Sequence, residues 1–457
     1  MSLKLEWNYK KYLETVYSWV KKVNVAHIVL LVLLLHFLII GVPDDGGMVF
    51  DESHYVKAAR DTVQGIAANA EHTPLSKLVI GWSIQAFGDW WFAWRITPVL
   101  FSTLSVLLVY LIAREFLDKK YSLFAAAFIG LDVLFFVNGS IAILDAQAVA
   151  FALAGVWLLL KKRYVYSAGM FAIGVLSKET AVLILLGAVF YLGASYFVGK
   201  SSLRSKFHMP QLKTLKTFAL FAVVFSGLVF GGIYAYDIIY EPASSAVVQT
   251  KVFATVVKDQ NGSTITTEYS TAIENSSVLI TNPIQHLLFA FNYYSGLTPT
   301  INPEPQDFRP AWSWALPLVN AANPPAYFKV SVSSSEGSRD IVSYYSQVTY
   351  PVSVFIIPTL GLCGFMLLKK RLDGFGCLYL GWLAGTYLPW ILFSLFIQKM
   401  TFNYYFMYTV PILAMGAPWF ISKLDVKEKW KIATLLCLTL VVGVYFICYF
   451  PLNIFRA

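Results

Sequence analysis

Charge is what this chain has least of. Only 13% of its 457 residues are Asp, Glu, Lys or Arg, about half of the roughly 25% usual in soluble domains. With 57% hydrophobic residues and a mean hydropathy of +0.61, that scarcity excludes an ordinary soluble enzyme and predicts a polytopic membrane protein. Cysteine is scarce too. Cys363, Cys377, Cys437 and Cys448 all lie in or beside apolar runs, without a CxxC or a Cys/His cluster. Neither a zinc site nor a disulfide framework is supported. There is no evident internal repeat and no low-complexity tract. Residues 1–24 are charged and mixed, so the first apolar stretch is expected to be an uncleaved span rather than a signal peptide.

Apolar stretches are abundant. Those approaching the ~20 residues that cross a bilayer fall at 25–42, 95–113, 121–138, 141–160, 164–177, 179–198, 217–237, 350–368, 374–397, 402–421 and 432–450. Eleven spans are therefore expected. If the N-terminus lies inside, the inner segments hold 23 of the 35 lysines and arginines although the outer portions are longer. This is the positive-inside pattern, and it accounts for the net charge of +9 without any nucleic-acid partner. Aromatic residues make up 16% of the chain, enough for interfacial belts or a ring-lined pocket. Two outer segments are long. One is 43–94; the other, 238–349, is rich in Ser, Thr, Asn and Pro and has strand-like alternation in "VVQTKVFATVV". Three Asn-x-Ser sequons, at Asn138, Asn261 and Asn275, fall on the outer side, which is compatible with glycosylation.

The outer segments also carry the ionisable residues. "VFDESHYVKAAR" (49–60) places Asp51 and Glu52 where the chain has just left the first span. Residues 51–68 pattern as an amphipathic interfacial helix with Tyr55, Ala58, Ala59, Thr62, Val63 and Ile66 on one face. "EHTPLSK" adds His72 and Lys77, and "WWFAWRITP" puts Arg95 at the outer end of the second span. "NGSIAILDA" adds Asp145; "SKET" and "QKMTFNYYF" add Lys178 and Lys399. Each has an ordinary explanation. Asp51 can cap a helix, Arg95 can pair with a carboxylate, and the two lysines can snorkel. Together they place several bases and acids at one membrane edge, where such residues tend to be functional.

In order and spacing, "FDESHYVKAAR", "EHTPLSK", "WRITPVLFSTLSVLLVYLIAREF" and "NGSIAILDAQAVAFA" resemble the protein O-mannosyltransferase family. "RPAWSWALPL" and "QKMTFNYYFMYTVP" are similar to its Trp-rich outer loop and a later basic, Tyr-rich segment. His-Thr-Pro stands where the family has His-Pro-Pro, and "PEPQDFR" replaces its His-Pro-Tyr-x-Ser segment. The resemblance implies an all-α, polytopic GT-C glycosyltransferase of the prokaryotic type, without the lumenal MIR domain, in an archaeal cell membrane with an outward-facing site. The expected division is a transmembrane module at 1–237 with its catalytic first outer loop at 43–94, the large mixed outer loop at 238–349, and C-terminal helices at 350–457.

The implied partners are a polyprenyl (dolichyl) phosphate mannose donor and a Ser/Thr-containing protein or peptide, met within the bilayer. No cofactor is required, and a divalent cation is left open. Asp51 is expected to be the general base for an inverting transfer, oriented by Glu52. Arg95, with Lys77 and Lys399, is expected to hold the donor phosphate, because Arg offers a planar fork and Lys a point charge. His72, Asp145, Trp312, Trp314 and Tyr404 are expected to support or contact substrate. Two alternatives remain: a GT-C transferase acting on a lipid or N-glycan, as lipid A aminoarabinose transferases share an acidic first loop, and a transporter. A Trp-Trp-Asp-Tyr-Gly motif of oligosaccharyltransferases is absent, and paired broken repeats typical of transporters are not seen. Cysteine labelling in a background lacking the four natural thiols tests the topology: residue 260 should label from outside and residue 371 only from inside, and the reverse would overturn it.

Overall fold

The computed structural model describes residues 22–44, 47–199, 212–242, 247–258, 264–276, 282–296, 310–317, 325–334, 337–397 and 401–452. In hydrocarbon every backbone N–H and C=O must be satisfied within the segment, and the apolar stretches are accordingly helices. The first half runs α1 Val25–Ile39, α2 Glu52–Val63, α3 Leu75–Phe87, α4 Trp91–Ala113, α5 Lys119–Gly130, α6 Val133–Ser140, α7 Asp145–Leu160, α8 Tyr164–Ser177, α9 Val182–Gly199 and α10 Leu212–Ile239. After these come α11 Pro283–Gly296, α12 Ile356–Leu368, α13 Gly374–Thr386, α14 Val410–Ser422 and α15 Glu428–Cys448.

Six helices are long and apolar enough to cross a membrane: Trp91–Ala113, Glu179–Val198, Leu215–Ile239, Tyr350–Leu368, Gly374–Phe396 and Glu428–Cys448. The α5–α6 pair, bent by 58°, makes a seventh if taken as one span. The other four expected stretches hold shorter apolar helices, Val25–Ile39, Asp145–Leu160, Tyr164–Ser177 and Val410–Ser422. The expected stretches are thus all helical, but not all reach full crossing length. The chain is a multi-pass membrane protein.

The bend has a local cause. Asp132 caps α6 by accepting from Phe135 N at 2.9 Å. Its second oxygen accepts from Thr349 N at 2.8 Å, while Val133 N donates to Thr349 Oγ1 at 2.9 Å. This reciprocal clamp satisfies backbone groups that the break in the helix would leave orphaned.

Short strands lie among the outer segments. β1 (Ile66–Ala67) pairs in parallel with β2 (Glu241–Pro242). β3 (Val247–Lys258) and β4 (Thr264–Ser276) form an antiparallel hairpin, as the alternation in "VVQTKVFATVV" anticipated. β5 (Ala326–Ser334) and β6 (Gly337–Tyr345) form another. The interfacial helix expected over 51–68 ends at Val63, and Ile66 belongs to β1. α2 buries Glu52 and Val56 as well as the expected Tyr55, Ala58, Ala59 and Thr62, and leaves Ser53, His54 and Lys57 exposed. Two packed regions result. The larger threads the spanning helices. The smaller gathers α2, α3, α6 and the end of β6 into a cap that includes Val49, Tyr55, Phe136 and Tyr344.

Of the sequons, Asn138 is fully buried, with its amide donating to Leu134 O at 2.7 Å. It is not an accessible glycan acceptor. Asn275 sits in β4, and Asn261 lies outside the described residues.

Glycines let α9 and α13 approach closely, as small residues do in membrane helix pairs. A Cβ on Gly385 would fall 2.2 Å from Gly187 N and 2.8 Å from Leu183 O. Gly385→Ala should therefore force the pair apart and cost about 1–3 kcal/mol, read as a lower unfolding midpoint in detergent. Gly443→Ala, with nothing within 4 Å of the added carbon, should leave that midpoint unchanged.

Candidate active site

The cap holds a pocket of about 230 Å³. Phe50, Asp51, His54 and Tyr55 contribute from the start of α2, and Asn69, Glu71 and His72 from the turn before α3. Tyr293 of α11 and Phe402, Tyr404 and Tyr405 close it. Phe50 adopts φ +52°, a left-handed conformation that bulky residues rarely hold unless their surroundings enforce it. Here the enforcement is aromatic. Its ring stacks on Tyr327 at 4.1 Å and meets Tyr404 edge-on at 5.4 Å.

Asp51 occupies the helix-cap position, yet its side chain makes no cap hydrogen bond. The neighbouring carboxylate turns back to the segment before the helix. Glu52 Oε2 accepts from Val49 N at 2.8 Å. The Asp51 carboxylate accepts no hydrogen bond from any described residue and lines the pocket. Burial raises its pKa above the ordinary carboxylate value, and the charges of Lys178, His72 and His54 oppose that shift. The other lining carboxylate, Glu71, is engaged, since its Oε1 accepts from Asn69 Nδ2 at 2.6 Å.

Glu52 and Arg95 are fully buried and form a bidentate pair, with Nε–Oε1 and NH2–Oε2 both 2.8 Å. Arg95 also donates to Ile40 O, Val42 O, Pro43 O and Gly47 O, and Glu52 accepts from Ala142 N at 2.7 Å. Neither residue lines the pocket. The expectation that Arg95 grips phosphate and Glu52 orients Asp51 is thus corrected on geometry: they tie the cap together. Lys77 is also fully buried. Its Nζ donates to Ala68 O, Asn69 O and His72 O, and burial lowers its pKa to about 8. It holds the 68–72 turn that presents His72 and does not face the pocket.

Asp145 is buried behind the wall, paired with Lys178 Nζ at 2.8 Å and accepting from Tyr408 OH at 2.9 Å. Lys178 does not snorkel to the surface. It is fully buried and sits 5.0 Å from the Tyr404 ring centroid and 5.9 Å from that of Tyr55. Trp314 is packed in the core near Phe406, and Trp312 is 41% exposed. Neither reaches the pocket, so the sugar- or acceptor-covering role expected for them is not supported by their placement. His72 and Tyr404 do line it. Lys399 lies outside the described residues. Glu179, whose Oε1 is 3.0 Å from His72 Nδ1, was not anticipated, and neither were His54, Tyr55 and Tyr405 as site residues; "SKET" read as a lysine motif hid the acid beside it. Among the described residues no group of three or more His, Cys, Asp or Glu is arranged to hold a metal.

Comparison with known proteins places this geometry. Residues 71–228 match the family described as dolichyl-phosphate-mannose-protein mannosyltransferase. A polyprenol-phosphate-mannose–protein mannosyltransferase of Corynebacterium glutamicum is 32% identical over 135 residues, 25% of this chain and 25% of that one. The match therefore spans about a quarter of that relative's length. Among solved structures, the S. cerevisiae protein O-mannosyltransferase Pmt1-Pmt2 complex bound to the sugar donor superposes with a TM-score of 0.67 at 12% identity, covering 94% of this chain and 89% of that one. ArnT from Cupriavidus metallidurans bound to undecaprenyl phosphate gives 0.53 at 14% identity, covering 91% and 63%. At such identities the structures establish the fold.

Breaking the buried pair should be costly. Arg95→Met leaves the Glu52 carboxylate uncompensated and should destabilise the protein by about 3–5 kcal/mol, seen as a lower unfolding midpoint in detergent. Adding Glu52→Gln should recover part of the loss, because no buried charge is then left alone.

Proposed function

We propose that the protein transfers mannose, with inversion, from a polyprenyl phosphate to Ser or Thr hydroxyls of exported proteins, because residues 71–228 match the dolichyl-phosphate-mannose-protein mannosyltransferase family and the fold is that of the GT-C membrane glycosyltransferases. The observation that carries the reading is the Asp51 carboxylate, which lines an aromatic pocket and accepts no hydrogen bond from the described residues around it.

A neutral hydroxyl attacks a sugar C1 poorly, so a positioned base takes its proton as the bond forms. Asp51 fills that role. The acceptor oxygen bonds to C1 while the bond from C1 to the phosphate oxygen breaks, and the electron pair leaves with the polyprenyl phosphate. The proton ends on Asp51. Its raised pKa makes the carboxylate a better base than one in water. Aromatic walls from Phe50, Tyr404 and Tyr405 suit the apolar face of a sugar ring and exclude water from the reacting centre. The phosphate needs cations, and Arg95, Lys77 and Lys178 are committed elsewhere. Lys399 stands three residues before Phe402 of the pocket wall and is retained as the proposed phosphate ligand. The site opens on the outer membrane face, where the basic-residue asymmetry puts the 43–94 segment.

Purified protein incubated with radiolabelled polyprenyl-phosphate mannose and a Ser/Thr-rich peptide tests the reading. Label should appear on the peptide; transfer to lipid alone would overturn the acceptor assignment. Asp51→Asn should insert and bind donor yet lose about 10²–10⁴-fold in turnover. If it transfers sugar within a few-fold of the parent, Asp51 is not the base. The direction of the Asp51 shift adds a pH test. Because ionised Asp51 is the active form and its pKa is raised, the acid limb of kcat/KM should lie above the ordinary carboxylate value of about 4.

A further inference from the structure

The pocket wall holds a hydrogen-bonded chain that the transfer step above does not use. Tyr55, one turn along α2 from Asp51, has its hydroxyl 3.0 Å from His72 Nε2. His72 Nδ1 lies 3.0 Å from Glu179 Oε1, and Glu179 Oε2 accepts from Thr73 N at 3.3 Å. Thr73 is fixed in turn by donating from its hydroxyl to Val175 O at 2.7 Å. Tyr55 and His72 line the pocket, and Glu179 stands behind them.

We propose that Glu179, His72 and Tyr55 form a relay whose charge state sets whether the Tyr55 hydroxyl offers a hydrogen or a lone pair to the pocket, and that the charged relay grips the phosphate oxygens of the donor. This rests on the polyprenyl-phosphate donor proposed above.

An ionised carboxylate can only accept, so Nδ1 carries a hydrogen toward Glu179 whether the imidazole is neutral or charged. Nε2 is the atom that changes. When neutral it takes the phenol's hydrogen, and Tyr55 turns lone pairs to the pocket, which disfavours an anion there. When protonated it donates to the phenol oxygen, and the Tyr55 hydrogen is released toward the pocket. That bond is charge-assisted and polarised along the chain. Burial, and next the charge of Asp51, hold the Tyr55 pKa well above the ordinary phenol value, so the phenol keeps its hydrogen in both states.

Charged and titratable groups face His72 from each element packed against it. Asp51 and His54 face it from α2, Glu71 lies beside it in its own turn, and Tyr404 and Tyr405 stand across the pocket. Lys77 binds its carbonyl from α3. Lys178 and Glu179 follow α8, with Asp145 behind Lys178. The neighbouring cations Arg95, Lys77 and Lys178 each have internal partners, which leaves this relay and His54 as the described groups of the wall that can meet an anion. Tyr55 touches the donor, His72 sets its polarity, and Glu179 is a positioning residue that acts through His72.

A sugar phosphodiester keeps a single negative charge across neutral pH, so a pH-dependent donor affinity must come from the protein. The test is equilibrium binding of polyprenyl-phosphate mannose to the full chain carrying Asp51→Asn, which removes both turnover and the base carboxylate. Affinity should fall about tenfold between pH 5 and pH 8, the advantage of a charge-assisted hydrogen bond over a neutral one. Glu179→Gln still accepts the Nδ1 hydrogen but lacks the charge, so it should move the midpoint to lower pH and keep the acid-side affinity. Tyr55→Phe should weaken acid-side binding and flatten the profile. An unmoved midpoint in Glu179→Gln, or a retained pH dependence in Tyr55→Phe, would overturn the relay. The second variant decides if the first fails to fold. Binding that is strong but flat with pH overturns the relay and leaves the donor assignment standing, whereas no binding at any pH overturns both.

Discussion

The Glu52–Arg95 ion pair is the constraint on which the outer cap depends. Both side chains are fully buried, and burying two charges is unfavourable unless nearly every donor and acceptor finds a partner. Here they do. The guanidinium takes both carboxylate oxygens and four carbonyls between Ile40 and Gly47. The carboxylate adds the amides of Val49 and Ala142. One pair thereby joins the end of α1, the 47–49 segment, the start of α2, the outer end of α4 and the turn before α7. The Asp51 side chain makes no cap hydrogen bond, and its carboxylate is left for the pocket.

The same chemistry recurs with different outcomes around the site. Five carboxylates lie at or near the pocket, and environment separates them, as in other enzymes where paired acids take distinct roles; Glu71 accepts from Asn69. Glu52 is neutralised by Arg95 and Asp145 by Lys178, both out of contact with the cavity. Glu179 is turned onto His72. Asp51 alone of these faces the cavity without a described hydrogen-bond partner. The buried cations follow the same logic: Lys77 and Arg95 are held mainly by backbone carbonyls, so they shape turns rather than bind substrate. The aromatic wall completes the site because α11 and the 401–408 segment bring Tyr293, Phe402, Tyr404 and Tyr405 over it.

Much of this was legible in the sequence because hydrophobicity is local. The apolar stretches, the basic inner segments, the first-loop acids and the alternation over 247–258 each follow from neighbouring residues alone. The bend at Asp132 was not legible, since it depends on Thr349, more than two hundred positions away. Trp312 and Trp314 read alike as substrate-contacting aromatics, yet Trp314 is buried and Trp312 is not. Only packing against Tyr387 and Phe406 separates them.

What the sequence alone determined is the class of molecule and the inventory of its outer face: a charge-poor chain must place long apolar helices in a bilayer, and the acids and bases it retains collect between them. The ordered motifs also suggested a family resemblance and drew attention to Asp51. What only the tertiary structure decided is which charges cancel. Sequence offers Arg95 and Lys77, with Lys399, as candidates for a phosphate and Lys178 as a further basic group at the same edge, but a charge is available to substrate only if no carboxylate or carbonyl within hydrogen-bond distance has claimed it. Those partners come from residues 33 to 55 positions away for Lys178 and Arg95 and from an adjoining turn for Lys77. The folded backbone brings them within 3 Å or so, and one-dimensional spacing carries no record of that distance.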